Sequence, residues 1–226
     1  MPMADIGMSS HIRHQRVKYH SVTLSVTVNL DTHHTNMKII ALRKIHQGKF
    51  LSYYEGDFIN ENGTRKTYEF MSRDHHLTID TFGNNIPAGV GMVALSKDRQ
   101  KVLLEEEYRY ACNRFIYNFP AGIIDPGEDA EQAARRELKE ETGLDLIEVI
   151  DVLSPSYASP GTSDELMQII VGVVEGEIKP SCYELEEINA KWFSKEKVKQ
   201  LLKDKAFMSV RTQMFLWSWV YGDKLN

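Results

Sequence analysis

Cysteine and long apolar runs are both scarce in this chain. Its 226 residues include only two cysteines, Cys112 and Cys182, which lie in no CxxC-like spacing, so free thiols in a reducing compartment are expected. No apolar run approaches the roughly 20 residues that a membrane span needs. The N-terminus lacks the apolar core of a signal peptide. We therefore expect a cytoplasmic protein that has no membrane partner.

The chain also lacks an excess of positive charge. It has 27 lysine and arginine residues against 32 aspartate and glutamate residues, for a net charge of −5. That balance argues against nonspecific binding to nucleic acid or to anionic membranes, because both need a basic surface. A small anionic substrate is not excluded, because a bound divalent cation can supply positive charge.

The chain divides into three parts by composition. Residues 1–36 are rich in His, Ser and Thr, and we expect an extension that is vector-derived or loosely ordered. The alternation in SVTLSVTVNL at 21–30 is also compatible with an edge strand in this segment. Residues 37–85 are predicted to form a small antiparallel β layer, because two β-type runs flank the turn dipeptide Asn62-Gly63. Residues 86–226 are predicted to form the main domain.

Strands and helices interleave in the main domain. Helices are predicted at 130–142, after Ser194, and at about 209–221. Strands are predicted at 88–95, 101–107, 115–119, 146–153, 167–174 and 188–193. The predicted class is therefore α/β or α+β with a mixed sheet.

The most informative stretch is GIIDPGEDAEQAARRELKEETGL at residues 122–144. Asp129 is a good N-cap and Gln132 completes a capping box, while Gly143 stands where a C′ glycine ends a helix. The stretch therefore predicts a helix from Ala130 to Thr142.

Three glutamates share one face of that predicted helix. Glu137, Glu140 and Glu141 stand at i, i+3 and i+4, so their carboxylates can converge. They would repel one another unless a cation lay among them, and Mg²⁺ or Mn²⁺ suits hard oxygen ligands. Arg136 lies four residues before Glu140 and can orient its carboxylate. The alternative is an ordinary solvated acidic helix.

The whole pattern, G-x5-E-x7-R-E-U-x-E-E-x-G-U with U a bulky apolar residue, resembles the Nudix box. Its elements are Gly122, Glu128, Arg136, Glu137, Leu138, Glu140, Glu141, Gly143 and Leu144. The resemblance implies an α/β/α sandwich around a mixed sheet, and divalent-metal hydrolysis of a nucleoside diphosphate linked to another moiety. It also implies that Glu137 and Glu141 ligate the metal, with Glu140 assisting in binding and catalysis.

Flanking segments resemble the ADP-ribose pyrophosphatase branch of that family. PAGIIDPGE at 120–128 implies that the carbonyl of Ala121, just before the box glycine Gly122, is a metal ligand. EEYRY at 106–110 makes Arg109 a candidate for a phosphate or ribose contact. YASPGTSDE at 157–165 places the branch's proline marker at Pro160.

The same branch has a second acidic loop that supplies a base for the attacking water. SCYELEEINAKWF at 181–193 places that role on Glu184 or Glu186. Glu165 is the competing candidate. A solvated turn is the alternative explanation for the whole loop.

Two departures leave the base specificity open. Asn118 stands where the branch more usually has a glutamate, and no Trp precedes residue 85 to stack on adenine. Tyr53, Tyr54, Phe58 or Tyr68 could supply that stacking contact, with Tyr54 as our candidate, and packing within the sheet is the alternative explanation for all four. The alternatives are hydrolysis of another nucleotide sugar such as GDP-mannose, hydrolysis of an oxidised nucleotide, or an inactive ligand-sensing regulator. The branch further implies a homodimer, in which residues 50–70 of one chain line the adenine side of the other chain's site.

Overall fold

The computed structural model describes residues 37–84, 86–182, 185 and 187–225. The predicted extension 1–36, with its candidate strand 21–30, lies outside the described residues. Within the described part, no helix is long and apolar enough to cross a membrane.

A small three-stranded antiparallel sheet comes first in the chain. Its strands are β1 (Met37–Gln47), β2 (Ser52–Asn60) and β3 (Arg65–Ser72), with β2 in the centre. Gly63 turns the β2–β3 hairpin with a φ of +77°, a left-handed conformation that glycine adopts without strain. The predicted hairpin at Asn62-Gly63 is thus confirmed.

The second sheet is larger and mixed. Its strands are β4 (Gly89–Leu95), β5 (Lys101–Arg109), β6 (Arg114–Asn118), β7 (Ala121–Ile123), β8 (Asp145–Val152), β9 (Ser156–Tyr157), β10 (Leu166–Glu175) and β11 (Ile188–Ser194). The order along its main path is β11-β5-β4-β10-β8, and β10 runs parallel to β4 while the other pairs are antiparallel. The short strands β7 and β9 were not predicted.

The middle of the large sheet is split. Strands β4 and β5 pair only at Leu95 and Val102, near their connecting turn. Beyond that point β7 pairs with β4 and β6 pairs with β5, so both short strands enter between the two long ones. The split places the residues at the end of β5 beside the segment that leads into the first helix.

Helices cover both faces of the large sheet. They are α1 (Ala130–Thr142), α2 (Lys195–Lys203) and α3 (Val210–Tyr221). Val90 and Met92 of β4 pack with Ala133 and Leu138 of α1, whereas Val93 packs in the core that includes residues of α2 and α3. This alternation follows from the period of two along a strand. The predicted α/β/α sandwich with a mixed sheet, preceded by a small antiparallel sheet, is confirmed.

Candidate active site

Helix α1 begins and ends where its local sequence predicts. The Asp129 side chain accepts from the Gln132 backbone N–H at 2.8 Å, and the Gln132 side chain accepts from the Asp129 backbone N–H at 2.9 Å. Gly143 ends the helix with a φ of +77°. These two ends fix which side chains of the helix face the sheet.

Two glutamates of α1 point into the split of the large sheet. Glu137 and Glu141 are both buried. Glu137 lies so close to the backbone of β7 that a Cβ on Gly122 would overlap its carboxylate carbon. The Ala121 backbone N–H donates to Glu141 Oε2 at 3.2 Å. The box glycine is therefore required for a close approach, because a side chain at position 122 would displace Glu137.

Two further buried carboxylates come from β5, and the sequence analysis did not identify them. Glu105 and Glu107 are 1% and 8% exposed, even though both are acidic residues. They share a strand face with Leu103, which packs in the core beneath α1. The signal was present in KVLLEEE, because a period of two puts alternate residues of this run on one face. It was missed because a run of glutamates ordinarily indicates a solvated strand end.

The four buried carboxylates affect one another electrostatically. Burial is the largest cause that raises the pKa of Glu141 to about 10, followed by the charges of Glu105, Glu137 and Glu107 in that order. The Ala121 N–H acts in the opposite direction. A site with this many negative groups out of water favours protons or a cation.

Arg136, on the same helix, supplies a positive charge to two of the box glutamates. Its Nη1 donates to Glu137 Oε1 at 2.8 Å and to Glu140 Oε2 at 3.1 Å. Its Nε and Nη2 form a two-point contact with Glu128, and Nη2 also donates to the Ile123 carbonyl. Arg136 therefore ties the helix to the loop that precedes it.

Asn118, the departure from the usual branch pattern, lies at the centre of a buried network. Its Nδ2 donates to Glu107 Oε1 at 2.7 Å. Its Oδ1 accepts from the hydroxyls of Ser209 and Thr212, each at 2.8 Å. Arg109 Nη1 donates to the other Glu107 oxygen at 3.1 Å and remains largely exposed. The network holds Glu107 in place and links the end of β5 to the start of α3.

Glu184 and Glu186 of the second acidic loop lie outside the described residues. The described residues around them are attached at both ends of the loop. The Cys182 N–H donates to the Glu140 carbonyl at 3.0 Å, and the Glu187 carbonyl accepts from the Tyr108 N–H at 3.1 Å. The described ends of this loop thus meet the box helix and the end of β5.

The loop with Pro160 and Glu165 joins the small sheet to the large one. Pro160 lies in the turn 159–163, whose Gly161 carbonyl accepts from the Tyr68 hydroxyl. Glu165 accepts from Arg73 Nε at 2.6 Å. A cavity of about 400 Å³ lies here. Its lining residues are Ser72, Arg73, Asp74, Leu77, Thr81, Asn84, Ile86, Ala88, Asp164, Glu165 and Leu166.

This cavity adjoins the box. The Ala88 carbonyl accepts from the Ile124 N–H at 3.1 Å, and the next residue, Gly89, pairs with Ile123. A volume of about 400 Å³ falls in the range of small-molecule pockets. The cavity therefore has the size and the position to hold a ligand that also reaches the buried carboxylates.

Comparison with known proteins agrees with this arrangement. The Nudix domain family matches residues 85–214, which is more than half of the chain. The chain belongs to the Nudix family. A protein of Caenorhabditis elegans whose name places it among the nudix hydrolases is 37% identical over 91 residues, covering 39% of this chain and 41% of its own length. An ADP-ribose pyrophosphatase of Bacillus subtilis (strain 168) is 29% identical over 134 residues, covering 59% and 64%.

A solved structure supports the fold. The crystal structure of an ADP compounds hydrolase aligns with a TM-score of 0.63, covering 83% of this chain and 96% of that one. Its sequence identity of 23% makes this a similarity of fold alone. The alignments with the two sequence relatives span about two fifths and two thirds of those proteins' lengths.

Nudix enzymes generally use a divalent metal, which needs several oxygen ligands around one point. Among the described residues, no group of three or more His, Cys, Asp or Glu side chains is already arranged as a metal site. Arg136 engages two of the box glutamates instead. The chemistry nevertheless fits a hard cation, because carboxylate oxygens are its preferred ligands and burial makes their shared negative charge costly.

Tyr54, the candidate for stacking on adenine, is buried. Its ring is 1% exposed and stacks on Phe70 in the core of the small sheet. Its hydroxyl donates to the Asp74 carbonyl at 2.8 Å. A stacking contact of Tyr54 with substrate stays a prediction, and this arrangement does not favour it.

Proposed function

We propose that this Nudix protein hydrolyses the pyrophosphate bond of a nucleoside diphosphate derivative, with ADP-ribose as the preferred substrate. One observation carries the proposal: four buried carboxylates from β5 and α1 meet beside the box loop. Such a cluster is costly for stability unless it binds a cation, so its presence favours a function that uses one.

The residues that would hold the cation are the box glutamates and one carbonyl. We assign Glu137, Glu140 and Glu141 as carboxylate ligands and the Ala121 carbonyl as the fourth group. A bound Mg²⁺ or Mn²⁺ ion would neutralise charge on the diphosphate and lower the pKa of a water molecule. Arg136 positions Glu137 and Glu140, because its guanidinium donates to both.

A base must take a proton from the attacking water. We assign this role to Glu184 or Glu186, and the attachment of the described loop ends to Glu140 and Tyr108 supports it. Glu165 is the competing candidate, although its carboxylate is already held by Arg73. The water oxygen bonds to one phosphorus and the bond from that phosphorus to the bridging oxygen breaks. ADP-ribose would thus yield AMP and ribose 5-phosphate.

Two features would bind the rest of the substrate. The exposed guanidinium of Arg109 is available to a phosphate or a ribose hydroxyl. The cavity beside Ala88 and Glu165 would hold a sugar or nucleoside next to the diphosphate. The similarity to an ADP-ribose pyrophosphatase supports ADP-ribose as the substrate over other nucleotide sugars.

A panel of nucleoside diphosphate derivatives with Mg²⁺ tests the proposal, with released monophosphates measured by phosphatase coupling. The panel includes ADP-ribose, GDP-mannose and an oxidised nucleotide. The highest kcat/KM is expected for ADP-ribose. A preference for GDP-mannose or the oxidised nucleotide would show that the substrate assignment is wrong, while the assigned reaction type would stand. The absence of any turnover would favour an inactive ligand-sensing protein instead.

We also propose a cytoplasmic homodimer. Both cysteines are free and exposed, as suits a reducing compartment. The edge strand β1 leaves Met37, Ile40 and Ile45 exposed, and long apolar edges tend to pair with another chain. Residues 50–70 of one chain would then approach the substrate side of the other.

A further inference from the structure

One partly buried arginine has no role among the residues assigned above. Arg211 is the second residue of α3, after Ser209, which caps that helix. Its Nε is hidden from solvent and has no hydrogen-bond partner among the described residues. Within the described part of the chain, its Nη1 donates to the sulfur of Met167 alone, at 3.2 Å. A thioether is a weak acceptor, so the hydrogen-bonding capacity of this guanidinium is poorly used.

The contact with Met167 locates Arg211 relative to the box. Met167 pairs with Gly89 between the parallel strands β10 and β4. A Cβ on Gly89 would lie 3.4 Å from Met167 Cε and 3.2 Å from the Gly122 carbonyl oxygen. The Met167 side chain therefore lies over the point where β4 meets the box loop, and Arg211 lies against that side chain.

The charges around Arg211 belong to the same site. Burial lowers the pKa of Arg211, and the negative charges of Glu107 and Glu165 oppose this effect while Arg109 adds to it. No carboxylate of the described residues forms an ion pair with Arg211. Glu107 is already bound by Asn118 and Arg109, and Glu165 by Arg73.

A guanidinium whose Nε–H is shielded from water and left without an acceptor is costly, and an anionic ligand would offset that cost. Guanidinium groups bind phosphate oxygens through two parallel N–H donors, and such charge-assisted bonds are the stronger class. Glu107, whose charge acts on Arg211, is one of the four buried carboxylates beside which the proposed function places the diphosphate.

We infer that Arg211, from α3, binds a phosphate of the nucleoside diphosphate substrate together with Arg109. The inference rests on the proposed function and deepens it, because it names a substrate contact outside the box and its flanking segments. Guanidiniums from two different elements, Arg109 of β5 and Arg211 of α3, would then both bind the diphosphate, beside the acidic cluster that would hold a cation.

The test compares Arg211→Met and Arg211→Lys with the wild-type protein. Methionine keeps an unbranched side chain beside Met167 but removes the donors, and lysine keeps the charge but loses the paired donors. We expect Arg211→Met to raise KM about 10- to 100-fold with a smaller change in kcat, which is the effect of losing a charged hydrogen bond. We expect the KM of Arg211→Lys to lie between that of the wild-type protein and that of Arg211→Met. The control is Arg99→Met, since Arg99 pairs with Glu148 at the opposite end of β4 and should keep the wild-type KM.

A binding measurement separates this inference from the proposed function. AMP is titrated into the wild-type protein and each variant by calorimetry in the presence of Mg²⁺, with no turnover required. Arg211→Met should weaken AMP binding while Arg99→Met should not. An unchanged KM and an unchanged AMP affinity in a folded Arg211→Met protein would overturn the inference, even if hydrolysis is confirmed. Absence of hydrolysis in the wild-type protein would overturn the proposed function alone, because the titration would still test Arg211.

Should Arg211→Met fail to fold, Arg211→Lys carries the test. A folded Arg211→Lys protein with wild-type KM and AMP affinity would also overturn the inference, because lysine cannot form the two-point contact. A Lys variant with raised KM and weakened AMP binding supports it.

Discussion

The carboxylate of Glu137 occupies the space that a side chain at Gly122 would need. This relationship explains why the residue of β7 that faces Glu137 is a glycine. The glycine has no special backbone angle to adopt, since its φ is not among the positive values. Its role is to let the strand backbone and the helix side chain approach each other.

Replacing Gly122 by alanine is therefore expected to damage the site more than the fold. The added methyl group would push Glu137 away from β7, and we expect at least a ~10²-fold loss of kcat/KM, as for a misplaced metal ligand. Gly222→Ala is the matched control, because its Cβ would meet nothing closer than the Ser218 hydroxyl at 3.9 Å. Equal activity in the two variants would show that Glu137 has no role at its present position.

Glu141→Gln tests the assignment of the buried carboxylate cluster to metal binding. The amide keeps the shape and the hydrogen bond from Ala121 but cannot ionise to become a negatively charged metal ligand. We expect a loss of at least ~10²-fold in turnover. The thermal midpoint of the metal-free protein should not fall, because the raised pKa of Glu141 already keeps its carboxyl neutral near neutral pH. Near-normal turnover at saturating Mg²⁺ would contradict the assignment.

Single Glu→Gln variants at 184, 186 and 165 locate the base. Loss of the base should lower kcat by ~10²–10⁴-fold with little change in KM. We expect the large loss at Glu184 or Glu186. If Glu165→Gln alone carries it, the base lies on the loop that Arg73 contacts, and the role moves to Glu165.

The contact between Arg136 and Glu128 predicts a pH dependence. Hydrogen bonds from Arg136 are the main cause that lowers the pKa of Glu128 below its ordinary value of 4.5. A lowered pKa in the folded protein means that this stabilisation is present above 4.5 and is lost as the pH falls through the folded value. Arg136→Met should return the pKa of Glu128 toward its ordinary value, measured by carboxyl NMR titration.

The stability gap between wild type and Arg136→Met should accordingly narrow as the solution is acidified from neutral pH, measured by denaturant unfolding. Arg135→Met is the control, because Arg135 pairs with Glu131 on the same helix and not with Glu128. A low Glu128 pKa that persists in Arg136→Met would refute the assigned cause.

The proposed dimer is tested by light scattering at micromolar concentration. We expect about twice the 26.0 kDa chain mass. A charged substitution on the exposed edge strand, Ile40→Lys, should shift the protein toward monomer if β1 contributes to the interface. A wild-type mass near that of one chain would refute the dimer.

Local sequence determined the box helix of this protein. Its cap, its capping box and its final glycine all act through hydrogen bonds between residues a few positions apart, so the bounds Ala130 and Thr142 could be predicted. The same holds for the hairpin at Gly63 and for the alternation that defines the longer strands. Short strands such as β7 have too few residues to show a periodicity.

Only the tertiary structure decided which charged residues are buried beside that helix. Glu105 and Glu107 are buried because β4 and β5 separate and α1 packs across the opening, a relation between segments some thirty residues apart. Arg211 meets Met167 because α3 returns to the start of β10, 44 residues away in sequence. The local alternation in KVLLEEE puts Glu105 and Glu107 on one strand face with Leu103. Whether that face is buried, and which partner a side chain meets, depends on strand register and on packing between distant segments.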